Sequence, residues 1–232
     1  MKSIKTIGDK IHIVENFISE DTAKLIVSGI EPHVVPAPDP SVFAGPSASS
    51  GASTIDLVSP IREYLPDPNY NISIDLISML APLMSKTISD FYEEEYVLKS
   101  IFYNKMIKGG KNTLHMDNNY IDADTDELRE RPGSMRDKSG LLYLYSDSEG
   151  GELYFPIQDL RIKPKSGTFI FFEGNEDTPH EVTEVLSGER HNLVSFFWPE
   201  ELNSGGWVDK NLNQRTPEKQ TTVEFIKKYH GI

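Results

Sequence analysis

The sequence contains no cysteine among its 232 residues. This absence excludes disulfides, thiolate zinc sites, iron–sulfur clusters and a cysteine nucleophile. A transition metal bound by this chain would have to be held by His, Asp, Glu or Tyr side chains. Those ligands suit iron, manganese, or a zinc site without sulfur.

Basic residues are few relative to acidic ones. The chain has 23 Lys and Arg against 36 Asp and Glu, which gives a formal net charge of −13. A surface this acidic repels nucleic-acid phosphates and anionic membranes, so we expect no nucleic-acid partner. Two local clusters depart from this trend, and we interpret them as solvated loop charge: Lys105, Lys108 and Lys111, then Arg129, Arg131, Arg136 and Lys138.

Long apolar runs are also missing. No stretch approaches the roughly 20 apolar residues that span a bilayer. The first residues, MKSIKTIGDKIHIVENF, are interrupted by charges and lack the apolar centre of a signal peptide. We therefore expect a cytoplasmic protein without membrane association.

The first part of the chain predicts a strand, two helices and a loop. Residues 10–19 are typical of a strand entering a turn, and Ser19 is a suitable N-cap for a helix through Gly29. Residues 36–53 are rich in Pro, Ser, Ala and Gly and predict a long loop. Apolar residues at helical spacing predict a helix over 71–92, which Pro82 should kink or split.

From Tyr96 onward, short segments rich in β-branched and aromatic residues recur between turn signals. Eight such strands predict a sandwich or jelly roll, so we expect a mainly β fold with flanking helices (α+β). The predicted strands are 96–107, 112–118, 140–146, 152–156, 159–163, 167–173, 180–186 and 190–198.

We expect one domain over 1–232. In this interpretation residues 1–95 support a jelly-roll core at about 96–199, and 200–232 form a polar extension. Within this extension we predict a closing helix over 217–229.

Two histidines and one aspartate have the spacing of a metal site. His115 and Asp117 are two apart, and residues two apart on a strand point to the same face. His180 follows Asp117 by 63 positions, enough for several antiparallel strands to return the chain to the same end. Two neutral imidazoles and one carboxylate form the facial triad of non-haem iron(II) oxygenases.

Arg190 lies ten positions after His180, across a predicted tight turn. A guanidinium near a barrel interior is costly to bury without a partner, and a bidentate carboxylate ligand would satisfy it. The alternative is a surface arginine paired with Glu181 or Glu184. With the triad in place, we favour the ligand-binding role.

Three stretches together resemble the 2-oxoglutarate- and iron(II)-dependent dioxygenases of the prolyl 4-hydroxylase-like branch. KGGKNTLHMD resembles the family's double glycine before the H-x-D ligands. YLYSDSEGGELYFP resembles its strand, acidic turn and Gly-Gly-Glu. HEVTEVLSGERHNLVSFFW resembles the distal histidine, turn and basic residue that end the motif. The resemblance covers about 96–198 closely and implies a double-stranded β-helix (jelly-roll) core.

The resemblance assigns roles to individual residues. It implies that His115, Asp117 and His180 bind Fe(II), and that Arg190 binds the distal carboxylate of the co-substrate 2-oxoglutarate. Tyr143 matches the family's tyrosine that hydrogen-bonds the same carboxylate, and Tyr145 is the second choice. It also implies O2 as oxidant, with ascorbate as an auxiliary reductant.

Two positions depart from the family pattern. A tyrosine commonly stands nine residues before the first histidine ligand, where this chain has Met106. Tyr103 has the opposite strand parity, so we do not transfer that role to it. Pro179 replaces the tryptophan often found before the distal histidine. Both departures bear on the substrate and leave the iron chemistry intact.

The resemblance implies hydroxylation of an unactivated C–H bond, and Asp117 argues against halogenation, since a small residue there would open a halide site. The leading hypothesis is a hydroxylase of prolyl residues in a peptide or protein. The alternatives are a hydroxylase of a free amino acid or other small metabolite, and a non-catalytic jelly-roll binding protein. The polar stretch 119–139 is either a lid over the substrate or a surface insertion.

Overall fold

An antiparallel sheet of ten strands dominates the residues that the computed structural model describes, which are 3–34, 49–56, 66–121, 128–130 and 137–199. Its strands are β1 (Ile4–Ile7), β2 (Ile11–Val14), β3 (Ser49–Asp56), β4 (Tyr96–His115), β7 (Lys138–Ser146), β9 (Leu153–Phe155), β10 (Leu160–Ile162), β11 (Phe169–Glu173), β12 (His180–Val182) and β14 (Glu189–Pro199). Two smaller sheets pair β5 (Asn119–Ile121) with β6 (Leu128–Glu130), and β8 (Glu149–Gly150) with β13 (Val185–Ser187).

The large sheet curls until its far strands face each other. Its neighbour order is β1-β2-β11-β7-β14-β4-β12-β9-β10, and β3 also pairs with β4. Although β9 and β11 are distant in this order, the rings of Phe155 and Phe172 lie 5.0 Å apart between centroids. The predicted jelly-roll fold is confirmed.

Strand β11 is buried on both faces of the sheet. Phe169 and Phe171 point to the outer face and join the core under the helices. Ile170 and Phe172 point inward, to a second cluster enclosed by the curl. Because side chains alternate along a strand, the sequence FIFF supplies both cores from one strand. The residues predicted to carry the chemistry lie on the inner side.

Both described helices belong to the outer layer. Helix α1 (Glu20–Ile30) begins as predicted, with Ser19 Oγ accepting a hydrogen bond from the Thr22 N–H at 3.1 Å. A single turn of 3₁₀-helix, Glu31–His33, follows it. Helix α2 (Pro68–Tyr92) begins three residues earlier than predicted, since Asp67 caps it and proline at the first position needs no N–H partner.

Of the two predicted effects of Pro82, a kink or a split, the split is wrong, because helix α2 continues through this residue. Leu80 and Met84 on either side of it are buried in the outer core, and this packing holds the helix together across the missing hydrogen bond. By length and composition alone α2 could also cross a membrane. A core helix passes the same test, and the absence of a membrane partner stays a prediction.

Strand β4 corrects three predictions. It joins the predicted strands 96–107 and 112–118 into one, passing through Gly109, whose φ of +83° suits glycine. It ends at His115, short of Asp117. Its partner β3 includes residues 49–53 of the predicted loop, because backbone pairing requires no apolar alternation. Residues 36–48 and the predicted helix 217–229 lie outside the described residues.

Two of the lysines interpreted as solvated charge are instead substantially buried. Lys138 is 6% exposed, with Nζ 2.8 Å from the Asp137 carboxylate and 4.7 Å from the ring centroid of Tyr92. Lys105 is ion-paired with Glu189 at 3.1 Å. An ammonium can be buried when it keeps an acidic partner, so the interpretation was wrong for both residues.

Candidate active site

Two strands place the predicted histidine ligands opposite each other. His115 ends β4 and His180 begins β12, and they are partners in the antiparallel pairing. Their ring centroids are 4.4 Å apart. His180 is 4% exposed and packs against Phe172, 4.8 Å away between centroids. The inner core thus forms one wall of the site.

Asp117 reaches the histidines from just beyond the end of β4. The next residue, Asn118, donates its N–H to the carbonyl oxygen of Gly174 at 2.7 Å, which fixes this segment beside the end of β11. Asp117 Oδ1 lies 3.6 Å from His115 Nε2, and its Oδ2 lies 3.6 Å from His180 Nε2. These ligand atoms all lie within 4.8 Å of one another and could hold a metal ion.

Backbone carbonyls orient both imidazoles in the same way. His115 Nδ1 lies 2.7 Å from the carbonyl oxygen of Thr113, and His180 Nδ1 lies 3.1 Å from that of Thr178. A carbonyl only accepts, so each Nδ1 carries a proton, and in the neutral form of the ring Nε2 has a lone pair on the side of Asp117. This is the tautomer that a metal ligand requires.

The charges of the site also suit a divalent cation. Burial, together with the nearby His115, lowers the pKa of His180 to about 4, so its imidazole is neutral at pH 7. Burial by itself raises the pKa of Asp117. His180, His115 and a hydrogen bond from Ser139 outweigh burial and hold that pKa below its ordinary value, so Asp117 is ionised. An ionised carboxylate beside a neutral imidazole is a typical iron or manganese donor set.

Arg190 lies on the inner face of β14 and is 1% exposed. Its Nη1 donates to Asn192 Oδ1 at 2.7 Å, and its Nη2 lies 3.4 Å from the hydroxyl of Tyr143. Its Nε is buried without a hydrogen-bond partner. Among the described residues no carboxylate pairs with this guanidinium, so the alternative of a surface ion pair with Glu181 or Glu184 does not fit.

The inner core connects the arginine to the histidines. Met106 Sδ lies 3.7 Å from Arg190 Nη1, and Met106 and Tyr143 belong to the same buried cluster as Phe155 and Phe172. The last two rings contact His180. An unpaired cation and the three candidate ligands therefore line one apolar interior.

Comparison with known proteins finds similarity over the segment that carries this site. Residues 101–198 match the model of the 2OG-Fe(II) oxygenase superfamily, and this range contains His115, Asp117, His180 and Arg190. Human prolyl 3-hydroxylase 3 is 36% identical over 114 residues, which cover 45% of this chain and 16% of that protein. Chicken prolyl 3-hydroxylase 2 is 35% identical over 91 residues, covering 36% and 13%. The matched segment thus spans less than a fifth of either relative.

Solved structures share the fold over most of the chain. A viral collagen prolyl hydroxylase from Paramecium bursaria Chlorella virus-1, in complex with 2-oxoglutarate, has a TM-score of 0.55 at 20% identity and covers 82% of this chain and 96% of its own. A prolyl hydroxylase from Trichoplax adhaerens, in complex with a peptide fragment of hypoxia inducible factor, has a TM-score of 0.60 at 15% identity and covers 86% and 89%.

The tyrosines considered for the site lie in two different environments. Tyr143 is fully buried beside Arg190, and its role in binding a carboxylate stays a prediction. Tyr145, the second choice, has its ring 5.6 Å from that of His191 instead. Tyr103 also lies on the outer side, where its hydroxyl is 2.6 Å from His191 Nδ1. Tyr103 was not assigned to the site because its strand parity is opposite to that of the family's tyrosine, and its place in the outer core agrees. Met106, which stands at the tyrosine's position, lies beside Arg190.

Two polar residues of the candidate site were not predicted. Ser139 on β7 donates its hydroxyl to Asp117 Oδ2 at 2.6 Å, and both residues are buried. Asn192 on β14 accepts from Arg190. Serine and asparagine are common in loops and strands alike, so neither carries a sequence signal without knowledge of its neighbouring strand. Beyond Asp117 and Asn118, the backbone of 119–121 pairs antiparallel with that of 128–130.

Proposed function

We propose that this chain is a 2-oxoglutarate- and Fe(II)-dependent dioxygenase that hydroxylates an unactivated C–H bond. In this proposal His115, Asp117 and His180 bind the iron, and Arg190 with Tyr143 binds the distal carboxylate of 2-oxoglutarate. The observation that carries it is the buried Arg190, which lacks a carboxylate partner among the described residues and shares an interior with the three candidate ligands.

The residues present fit the metal and the co-substrate. Two imidazole nitrogens and one carboxylate leave further positions open on an octahedral ion. Bound iron(II) supplies the oxygen chemistry that couples decarboxylation of 2-oxoglutarate to succinate with hydroxylation of the substrate. Ascorbate would keep the iron reduced.

The protein's own contribution is position and exclusion of water. Arg190 and Tyr143 orient the distal carboxylate, and the carbonyls of Thr113 and Thr178 hold the two imidazoles in the ligating tautomer. The apolar inner core around Met106 keeps bulk water away from the guanidinium, which strengthens its attraction for an anion.

For the substrate, we propose a prolyl residue in a peptide or protein. The names of the relatives support this choice, and one structural neighbour was solved with a peptide. The relatives include 3-hydroxylases and the neighbours a 4-hydroxylase, so the hydroxylated carbon is a question for product analysis. Hydroxylation of free proline or another small metabolite is the alternative. A cytoplasmic location remains part of the proposal.

The decisive assay measures succinate. The full chain is incubated with iron(II), ascorbate and 2-oxoglutarate, with and without Pro-containing peptides or free proline. Succinate formation stimulated by a peptide supports the leading proposal, and stimulation by free proline alone would replace it with the alternative. Failure to bind iron or to form succinate above background would refute the enzyme assignment.

Two variants test the assigned roles. His180→Ala should abolish iron-dependent turnover because the site loses one of its three ligands. Arg190→Ala should chiefly raise the 2-oxoglutarate concentration needed for half-maximal rate, while iron affinity stays at the wild-type value. An unchanged requirement for 2-oxoglutarate would show that the arginine is misassigned.

A further inference from the structure

Asn192 has an unusual buried environment beside the carboxylate-binding arginine. It is 0% exposed and lies two residues after Arg190 on β14, so both side chains point to the inner face. Its Oδ1 accepts a hydrogen bond from Arg190 Nη1 at 2.7 Å. Its Nδ2 is buried and has no hydrogen-bond partner among the residues that the structure describes.

The orientation of this amide follows from the chemistry of its neighbour. A guanidinium has only donors, so the amide oxygen must face Arg190 and the NH2 group must face away from that contact. If the amide were rotated by 180°, its NH2 group would face the N–H groups of Arg190, and two donors would meet. The contact with Arg190 therefore requires the orientation in which Nδ2 lacks a partner.

Two buried hydrogen-bond donors of β14 have no acceptor among the described residues. Arg190 Nε is also buried without a partner, so two donors within three residues lack acceptors. Leaving a buried donor unsatisfied costs about 1–3 kcal/mol, and more for a charged group. Asn192 is the cross-strand partner of Tyr143, which already contacts the guanidinium. Arg190 and Asn192 on β14 and Tyr143 on the neighbouring β7 thus place hydrogen-bond donors in the same buried interior, and such a set of donors matches an anion.

We propose that Asn192 is a co-substrate-binding residue that donates its Nδ2–H to the same carboxylate that Arg190 binds. This inference rests on the proposed function and deepens it. Asn192 has two roles in this arrangement: its oxygen fixes the rotation of the guanidinium, and its nitrogen supplies a separate donor. A carboxylate has about four acceptor positions, enough for Tyr143, Arg190 and Asn192 together.

A competing explanation involves Asn104 on β4. Asn104 is the cross-strand partner of Asn192 on its other side, and its Oδ1 is also buried without a partner. The two amides could satisfy each other after a small shift, in which case Asn192 would have only a structural role. Asn104→Ala is therefore the matched control, because it removes the competing acceptor and leaves Arg190 and Tyr143 unaltered.

The test compares two ligands that differ only at the distal end. Binding of 2-oxoglutarate and of 2-oxopentanoate, which has a methyl group in place of the distal carboxylate, is measured by calorimetry on the Mn(II)-loaded full chain. Asn192→Ala should weaken 2-oxoglutarate binding roughly 10- to 100-fold, as for loss of a hydrogen bond to a charged group. Binding of 2-oxopentanoate and Mn(II) should not change.

Asn192→Asp gives a second, independent readout. The new carboxylate would pair with Arg190 and occupy the position of the ligand's anion, so the preference for 2-oxoglutarate over 2-oxopentanoate should disappear while Mn(II) still binds. Retained preference in Asn192→Asp would overturn the proposal. So would an Asn104→Ala variant that loses as much 2-oxoglutarate affinity as Asn192→Ala.

A variant pair separates direct contact from an effect through the arginine. In an Arg190→Lys background, which keeps the charge, Asn192→Ala should still weaken 2-oxoglutarate more than 2-oxopentanoate. No further loss in that background would make Asn192 a positioning residue only and refute the contact. If the wild-type protein itself fails to prefer 2-oxoglutarate, the proposed function fails instead.

Discussion

Ser139→Ala should weaken metal binding without unfolding the protein. Ser139 donates to Asp117 Oδ2 at 2.6 Å, and the same oxygen lies 3.6 Å from His180 Nε2. The hydroxyl therefore fixes the plane of the carboxylate relative to the imidazole. Without this hydrogen bond, one of the contacts that orient the Asp117 carboxylate is lost, and its oxygens are less well placed for an ion.

The expected size of the effect follows from two estimates. A hydrogen bond to a charged group contributes about 1.5–3 kcal/mol. Loss of a partner behind a metal ligand typically costs about 10- to 100-fold in affinity or activity. Since about 1.4 kcal/mol corresponds to a factor of ten, the two ranges agree. We expect the dissociation constant for Mn(II) or Fe(II) to rise roughly 10- to 100-fold.

The chain offers a matched control for this measurement. Ser195 is also fully buried, and its hydroxyl donates to the carbonyl oxygen of Gly140 at 3.1 Å. Ser195→Ala removes the same atom and a buried hydrogen bond on the outer side of the sheet. It should lower the unfolding free energy but leave metal affinity unchanged. Ser139→Thr, which keeps the hydroxyl, should restore most of the affinity.

Equilibrium dialysis against Mn(II) at pH 7 gives the affinities, and urea unfolding gives the stabilities. The reasoning is refuted if Ser139→Ala binds Mn(II) as tightly as the wild type. It is equally refuted if Ser195→Ala loses as much affinity, because the effect would then reflect general loosening of the sheet.

Two further predictions concern stability. Gly150→Ala should lower the urea-unfolding free energy by at least about 2 kcal/mol more than Gly109→Ala. Both glycines have positive φ, but a Cβ at Gly150 would stand 2.1 Å from the carbonyl oxygen of Glu184, whereas nothing lies within 4 Å at Gly109; equal losses would contradict this. Burial lowers the pKa of His12 and of His180 to about 4, while the unfolded chain protonates them near 6.5. The unfolded state therefore binds more protons between these values, and metal-free protein should lose stability as the pH falls below about 6.5. His12→Gln should reduce that slope, and flat stability from pH 7 to pH 5 would contradict the prediction.

The sequence predicted which three candidate ligands lie close together, because the information for them is local. His115 and Asp117 lie two residues apart, and His180 and Arg190 flank one turn. A prediction based on such short spacings does not depend on the exact ends of the strands. β4 ends at His115 and does not continue past Asp117, but the three candidate ligands still lie together.

The residues that support the site could not be predicted in the same way. Ser139 reaches Asp117 only because the start of β7 lies beside the end of the loop after β4. Asn192 meets Tyr143 through a register shift between His191 and Asn192, which no alternation pattern reveals. Strand β3 lacks apolar periodicity, and Pro82 is tolerated because of packing on both sides. These features depend on contacts between segments distant in the chain.

The pairing of His115 with His180 joins strands of very different length. β4 has 20 residues and is paired along most of them, whereas β12 has three and pairs irregularly. Short strands with few contacts open locally at lower free energy than long central ones. A metal ion bound to both histidines and Asp117 would therefore raise the free energy needed to separate β12 from β4. In hydrogen–deuterium exchange, the amides of β12 should be the ones most protected by adding the ion, while those of β14 exchange slowly with or without it.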